Sequence, residues 1–251
     1  MTASAASPTA SDAAGLRIEV LHNAETAGAR LEAIAERTGG GQSREAAQRV
    51  DAILEQVQQQ GDAALMELTE RFDGVRPDPL RVPREALLAA WQATPEDLQE
   101  ALKLAHRRIV DFHQRQKPAD LEVTGVHGER LGRRWRPVER AGLYVPGGRA
   151  SYPSTVLMNA VPARVAGVQR LVMVTPPGPD GQVNQTVLAA AHLAGVEEIY
   201  RVGGAQAIAA LAYGTESIPR VDVITGPGNL YVTLAKKAVY GRVSIDSLAG
   251  P

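Results

Sequence analysis

The sequence contains no cysteine. Disulfide bonds, thiolate zinc sites, iron–sulfur clusters and a thiol nucleophile are therefore excluded within these 251 residues. Aromatic residues are also scarce, at 4% of the chain, with two Phe and two Trp. The core must therefore be aliphatic and rich in alanine, which favours close packing of helices.

Long apolar runs and an excess of charge of one sign are absent as well. The stretch from Ala160 to Val174 is interrupted by a proline and two arginines, so it does not have the composition of a membrane span. The formal net charge of -1 gives no footprint for nucleic acid or an anionic membrane. Residues 1–15 lack the basic start and apolar core of a secretory signal, and we interpret them as a disordered tail. Together these features predict a soluble, cytoplasmic, globular protein.

A repeated pattern fills the second part of the chain, from Gly142 to Pro251. Short runs of aliphatic and β-branched residues alternate with segments of helical period, and each run ends in a turn rich in Gly or Pro. Such alternation predicts an α/β fold with a parallel sheet and right-handed crossovers. The turns then share the carboxyl edge of the sheet, where open α/β sheets bind ligands. The predicted strands are Gly142–Val145, Leu171–Thr175, Glu198–Val202, Val221–Thr225 and Arg242–Asp246.

The preceding region, residues 16–140, is predicted to be rich in helices with a few strands. From Asp120 to Arg140 the pattern alternates, which indicates a hairpin. We place a domain boundary near Ala141, so that an incomplete first domain precedes an incomplete Rossmann-like domain over residues 141–251. The chain stops directly after a predicted strand, at Gly250-Pro251, which indicates a truncated protein.

Three helix starts are indicated by local signals. Ser43 is a preferred N-cap residue. Asp62 is predicted to cap the helix that runs through Phe72. Thr94 is a predicted N-cap with Pro95 at the first helical position.

Three polar side chains accompany the glycine turns of the predicted sheet. Tyr144 precedes Pro146-Gly147-Gly148, Gln206 follows Gly203-Gly204, and Asn229 follows Gly226-Pro227-Gly228. Such turns let a ligand approach the backbone, and the following helices offer N–H groups to an anion. However, no Gly-x-Gly-x-x-Gly fingerprint is present. Pattern alone therefore leaves two interpretations of these residues, ligand contact or helix-start chemistry, and favours the second.

No catalytic constellation can be singled out. The histidines lack the spacing of a metal site, and a surface or half-buried position is favoured over a metal or base role. They are His22, His106, His113, His127 and His192. The arginines around Trp135 are best explained as a solvated strand face, with anion contact as the second interpretation. The sequence thus predicts a binding crevice without an evident catalytic group.

Several long blocks of the sequence closely resemble the histidinol dehydrogenase family. Shorter matches precede them, and the resemblance extends over nearly everything from about Ser43 onward. The blocks are Glu139–Gly148, Pro153–Asn159, Tyr200–Pro219, Gly226–Asn229 and Ile245–Pro251.

The resemblance implies a zinc-dependent, NAD-linked enzyme of histidine biosynthesis. Such an enzyme oxidises L-histidinol through L-histidinal to L-histidine, with two NAD as hydride acceptors. The family pattern also implies two related, incomplete dinucleotide-binding-like domains and a homodimer that completes each active site. The NAD contacts of the family carry over to Tyr144, Gln206 and Asn229, which favours the ligand interpretation of these residues.

The resemblance also implies that part of the active site lies outside this sequence. The family's zinc ligands, its Glu-His catalytic pair and its substrate-binding Ser all follow the Ala-Gly-Pro motif, so we expect them downstream of Pro251 and assign none of them here. The chain is then the N-terminal portion of the enzyme and is inactive by itself. Two alternatives stay open: a catalytically silent NAD- or nucleotide-binding module, and an unrelated α/β protein that binds phosphate or sugar.

Overall fold

The structure is a computed structural model that describes residues 20–21, 23–38, 41–147 and 151–248. The predicted tail over residues 1–15 and the final turn, Gly250-Pro251, lie outside the described residues. The chain divides into two compact units, residues 1–41 and residues 42–251. The first unit contains helix α1 (Ala24–Thr38). No described helix is long and apolar enough to cross a membrane.

The second unit begins with helices and a hairpin. The helices are α2 (Gly41–Gln60), α3 (Asp62–Asp73), α4 (Arg84–Ala93) and α5 (Glu96–Gln116). Strands β1 (Leu121–Thr124) and β2 (Arg130–Arg133) then pair antiparallel, which confirms the predicted hairpin. Every residue of both strands is exposed to solvent.

A five-stranded parallel sheet follows, and it confirms the predicted α/β fold. All five predicted strands are present, each within a few residues of its predicted ends. The alternating elements are β3 (Arg140–Tyr144), α6 (Pro153–Ala166), β4 (Arg170–Thr175), α7 (Gln185–Leu193), β5 (Glu198–Arg201), α8 (Gly204–Tyr213), β6 (Val223–Thr225), α9 (Leu230–Val239) and β7 (Ser244–Ile245).

The sheet is buried on both faces because successive side chains of a strand point to opposite sides. In β4, Val172 and Val174 join a cluster with α2, α3, α8 and α9. Leu171 and Met173 join a second cluster with α4, α5, α6 and α7. The helices of the N-terminal region therefore cover this sheet, within one compact unit. The domain boundary near Ala141 stays a prediction.

The spatial order of the strands is β5-β4-β3-β6-β7. The first strand of this sheet, β3, lies in the middle. The chain then adds β4 and β5 toward one edge and returns to the other side of β3 for β6 and β7. This is the doubly wound arrangement, and the direction reverses between β3 and β6. The turns after these two strands therefore lead to helices on opposite faces of the sheet, α6 and α9, and leave a crevice between them, the place where open α/β sheets bind ligands.

The three predicted helix caps are wrong in detail. Helix α2 begins at Gly41, before Ser43. Gly61 is the N-cap of α3, and the carboxylate of Asp62 instead accepts hydrogen bonds from the backbone and hydroxyl of Ser217. Pro95 is the N-cap of α5, and the Thr94 hydroxyl donates to the Ala90 carbonyl near the end of α4. In two of these cases, Asp62 and Thr94, the polar side chain is hydrogen-bonded to a neighbouring segment.

Candidate functional site

A cavity of about 1240 Å³ lies at the carboxyl edge of the sheet. Its floor is formed by the end of β3 and by the turns that follow β3, β4 and β6, and its walls include α2, α3 and the first residues of α8. The volume exceeds the roughly 300–1,000 Å³ of ordinary small-molecule pockets. Tyr144, Gln206 and Asn229 all line it, so the structure brings the three predicted site residues together.

Tyr144 is the last residue of β3 and is almost fully buried. Its hydroxyl oxygen accepts a hydrogen bond of 3.2 Å from the backbone N–H of Gly204, the first residue of α8. Burial raises the pKa of Tyr144 to about 12, helped by the charge of Asp73 and opposed by the Gly204 hydrogen bond. The phenol therefore stays protonated at neutral pH and retains its own O–H for donation.

Gln206 is the third residue of α8 and is only 1% exposed. Its Oε1 atom is buried and has no hydrogen-bond partner among the residues that the structure describes. Buried amide oxygens in proteins are almost always paired, because an unpaired one costs about 1–3 kcal/mol. This oxygen is the strongest sign in the cavity of a group that a ligand completes.

Asn229 is exposed and is the N-cap residue of α9. Its Oδ1 atom accepts a hydrogen bond of 3.1 Å from the backbone N–H of Val232, which confirms the cap interpretation. The amide nitrogen makes no hydrogen bond with a described residue, so it can still donate into the cavity. Its role as a ligand contact stays a prediction.

The turn after β6 is fixed by an ion pair between a buried lysine and an exposed aspartate, which the sequence analysis did not identify. Lys236, on α9, is 2% exposed, and its Nζ atom contacts Asp246 and donates to the Gly226 carbonyl at 3.0 Å. The same Asp246 carboxylate accepts from the Gly226 N–H at 2.8 Å. Both backbone groups of Gly226 are thereby held. The signal in the sequence was a lysine placed four residues after Val232 and three before Val239, on the buried face of α9.

Gly226 itself brings that turn against the strand next to it. Its φ is 119°, a conformation that favours glycine, and a Cβ at this position would lie 2.1 Å from the Tyr144 carbonyl oxygen. The close approach of the two backbones sets the position of Pro227, Gly228 and Asn229 along the cavity.

The wall contributed by α3 was also missed. Arg71, Phe72 and Asp73 line the cavity at the end of this helix, and Arg49 lines it from α2. The Arg71 guanidinium lies 5.5 Å from the centre of the Phe72 ring. Asp73 is half-buried and makes no hydrogen bond or ion pair with a described residue. Arg71-Phe72-Asp73 is one of the shorter matches to the family, but the sequence analysis assigned it no role in the site, since the chain brings α3 to the sheet from about 70 residues away.

The remaining candidates lie away from the cavity. Arg133 stacks over Trp135 at 5.0 Å on the exposed hairpin, in agreement with a solvated face. His192 stacks on Trp91, and His113 contacts Phe112 edge-on. His106 lines a separate pocket, and burial lowers its pKa. His22 lies outside the described residues.

Across the described chain, no group of three His, Asp or Glu residues is placed to hold a metal ion. The assignment of zinc ligands to positions beyond Pro251 stays a prediction.

The strand order and the cavity at its switch point define a doubly wound α/β protein with a ligand crevice. Comparison with known proteins gives the family. The chain belongs to the histidinol dehydrogenase family, whose model, described as "Histidinol dehydrogenase", matches residues 36–251.

Curated relatives and a solved structure agree with this assignment. The chain is 65% identical over 234 residues to a histidinol dehydrogenase of Prochlorococcus marinus (strain MIT 9313), covering 93% of this chain and 53% of the relative. It is 63% identical over 234 residues to that of Parasynechococcus marenigrum (strain WH8102), covering 93% and 54%. The crystal structure of histidinol dehydrogenase from Elizabethkingia anophelis matches with a TM-score of 0.78 and 38% identity, over 81% of this chain and 47% of that chain. The chain thus spans about half the length of the curated relatives it matches.

Proposed function

We propose that this chain forms the NAD-binding part of a histidinol dehydrogenase. The complete enzyme would oxidise L-histidinol through L-histidinal to L-histidine, with two NAD and a zinc ion, as the last steps of histidine biosynthesis. Membership of the family supports the reaction, and the cavity supports the placement of the dinucleotide. We further propose a cytoplasmic homodimer with L-histidinol as its small-molecule partner.

The observation that carries the proposal is the unpaired, buried oxygen of Gln206 at the carboxyl edge of the sheet. A carboxamide oxygen in such a position can accept a hydrogen bond from a ligand, and a dinucleotide has amide and hydroxyl groups that donate. The starts of α8 and α9 line the same cavity. The Gly204 N–H is bonded to Tyr144 and the Val232 N–H to Asn229, but the N–H groups of Ala205, Gln206 and Tyr231 lack intrahelical acceptors and suit the pyrophosphate.

The other proposed contacts supply complementary groups. The Tyr144 O–H and the Asn229 amide nitrogen are donors, and the close backbone of Gly204 and Gly228 leaves room for the ligand. NAD, when bound, accepts the hydride that leaves the substrate carbon. The residues of this chain hold and orient the dinucleotide.

Zinc chemistry is assigned to a different part of the enzyme. The described residues offer no group of three suitable side chains, so they do not fit a zinc site. The family resemblance places the zinc ligands and the Glu-His pair beyond Pro251, and we propose that the chain alone does not oxidise histidinol.

A catalytically silent NAD-binding module is the second candidate. It is favoured by the same absence of a metal-binding cluster from the described chain, combined with an intact cavity. The two candidates predict the same NAD binding and differ in whether a longer form of the protein turns over histidinol.

Replacement of Gln206 tests the binding site. We expect Gln206→Leu to weaken NAD binding about tenfold or more, because the ligand loses a buried hydrogen bond, while the unfolding free energy is unchanged or higher. Calorimetric titration measures the affinity, and urea denaturation measures the stability. Gln92→Leu, at an exposed helical position, is the matched control and should bind NAD as the parent chain does.

Two results would contradict the proposal. The first is a folded chain that does not bind NAD, or a Gln206→Leu variant that binds it normally. The second is NADH formation by the purified 251-residue chain from L-histidinol and zinc, since this would place the catalytic groups within the chain.

A further inference from the structure

Asp73 occupies an unfavourable position for a carboxylate. It is the last residue of α3, where the helix macrodipole disfavours a negative charge. It is half-buried, and burial raises the pKa of its carboxyl. Among the residues that the structure describes, none donates a hydrogen bond to it and no cation pairs with it. Such a group indicates a ligand that supplies the missing donors.

Asp73 shares the cavity with Tyr144 and with the start of α8. Helix α3, which ends at Asp73, also packs on α8. The charge of Asp73 contributes to the raised pKa of Tyr144, and the Tyr144 hydroxyl accepts from Gly204, the first residue of α8. Asp73 therefore lies in the same cavity as the helix N-terminus that suits a pyrophosphate.

An aromatic surface adjoins the carboxylate. Phe72 is 52% exposed although the chain has only two Phe, and its ring lines the cavity next to Asp73. The ring offers a face on which a planar base can stack. A base-stacking surface, a hydroxyl acceptor and a pyrophosphate site thus line one cavity.

The chemistry of a carboxylate limits what it can contact. When ionised it only accepts hydrogen bonds, and it repels phosphate. The groups of a dinucleotide that lie next to the pyrophosphate and donate hydrogen bonds are the ribose hydroxyls.

We propose that Asp73 binds the ribose hydroxyls of the adenosine half of the dinucleotide and thereby excludes NADP, which carries a phosphate on the 2′-oxygen. The inference rests on the proposed function, since it assumes that this cavity binds NAD. It assigns to Asp73 the selection between the two dinucleotides, a role separate from those of Tyr144, Gln206 and Asn229.

Two arginines in the cavity should favour NADP once the Asp73 carboxylate is removed. Arg49 and Arg71 line the same cavity, and Arg49 is engaged by the exposed carboxylate of Glu45 at 2.6 Å. With Asp73 replaced by a small neutral residue, both guanidinium groups are able to attract the 2′-phosphate. The change should therefore improve NADP binding, which a merely structural defect does not do.

The test is calorimetric titration of the 251-residue chain and its variants with NAD and with NADP. We expect the parent chain to bind NAD at least about tenfold more tightly than NADP, because the carboxylate favours a hydroxyl over a phosphate. Asp73→Ser should bind NADP about fivefold or more tightly than the parent does, and Asp73→Asn should weaken NAD binding severalfold through loss of the charge-assisted hydrogen bonds.

Glu70→Gln is the matched control. It removes the same charge from the same helix, at an exposed position that does not line the cavity, so the ratio of the two affinities should be unchanged. Circular dichroism verifies that each variant is folded.

The outcomes separate the inference from the proposed function. If the folded parent chain binds neither dinucleotide, both are overturned. If it binds NAD but Asp73→Ser leaves the ratio of affinities as it was, or Glu70→Gln changes it equally, the role of Asp73 is wrong and the NAD site stands.

Discussion

Tyr144 is placed by its two neighbours at the cavity floor. Its carbonyl oxygen excludes any side chain at Gly226, and its hydroxyl accepts from the first N–H of α8. Through its backbone and its side chain, this one residue thus contacts both the turn after β6 and the start of α8. Its protonation state follows from its burial.

The raised pKa of Tyr144 predicts a loss of stability at high pH. Its pKa is about 12 in the folded chain against 10.0 ordinarily, so between these values the folded state holds a proton that the unfolded state has released. The stabilisation is complete below pH 10 and falls as the pH rises toward 12, by roughly 2–3 kcal/mol in total.

Comparison with Tyr144→Phe isolates this contribution. Urea denaturation gives the unfolding free energy of both proteins between pH 9 and 11. This free energy should fall more steeply with rising pH in the parent chain than in the variant. At neutral pH the variant should be less stable by about 1 kcal/mol, since the Gly204 N–H loses its acceptor. Parallel stability curves for the two proteins would disprove the assignment.

The residues of the site differ in how far the sequence predicts them. Tyr144, Gln206 and Asn229 were found because each adjoins a glycine turn, which is a local pattern. Asp73 and Lys236 were not, because their importance depends on contacts with distant segments. Asp73 meets the sheet only after α3 has packed on α8, and Lys236 meets Asp246 only after β7 has joined β6.

At the scale of elements, the turn after β6 sets the depth of the cavity. We expect Gly226→Ala to be less stable than the parent by at least about 2 kcal/mol more than Gly74→Ala is. Both glycines have positive φ, 119° and 76°, but only the Cβ at Gly226 would collide with backbone, whereas that at Gly74 would meet nothing within 4 Å.

The difference in unfolding free energy is measured by urea denaturation of both variants. Equal losses would mean that the turn can move away from Tyr144, and that the close approach does not fix the cavity.

The strands were predictable and the helix starts were less so. A strand buried on both faces leaves a short apolar run, here rich in β-branched residues and followed by turn residues, as in Leu171–Thr175. A polar residue at a helix start, in contrast, can form its hydrogen bond with any of several alternative partners. Asp62 binds Ser217 and Thr94 closes α4, and neither preference is visible within one helix.

At the scale of the whole molecule, the hairpin of β1 and β2 presents a group of exposed apolar side chains. Leu121, Val123 and Leu131 project from it, and Val126 at its tip is 94% exposed. Apolar side chains grouped on a projecting arm favour association with other molecules.

We therefore expect the double substitution Leu121→Thr and Leu131→Thr to reduce self-association. The unfolding free energy should change by no more than about 0.5 kcal/mol, because both side chains are already in solvent. Dynamic light scattering over a range of concentrations measures the association. Leu104→Thr, at an exposed position on α5, is the control.

If Leu104→Thr reduces self-association and the hairpin double variant does not, the associating surface lies on the helices and the prediction is wrong. The sequence analysis predicted a helix-rich region over residues 16–140, and the structure shows that this region includes α2–α5. The strand order, which places this one sheet between two pairs of those helices, follows from packing between distant segments and was not predictable from local patterns.

The two outer edges of the sheet differ in whether another segment of the chain covers their backbone groups. At β5, the segment around Arg81 runs antiparallel alongside: Arg201 donates to the Leu80 carbonyl at 2.9 Å, and Val82 donates to the Ile199 carbonyl at 2.8 Å. At β7, within residues 41–147 and 151–248, no strand pairs with the outer side. Unpaired backbone groups at an edge accept further strands, whereas covered ones do not. The sheet can therefore be extended in one direction only, from β7, and any strand added there would lie on the side of the crevice that carries Asn229.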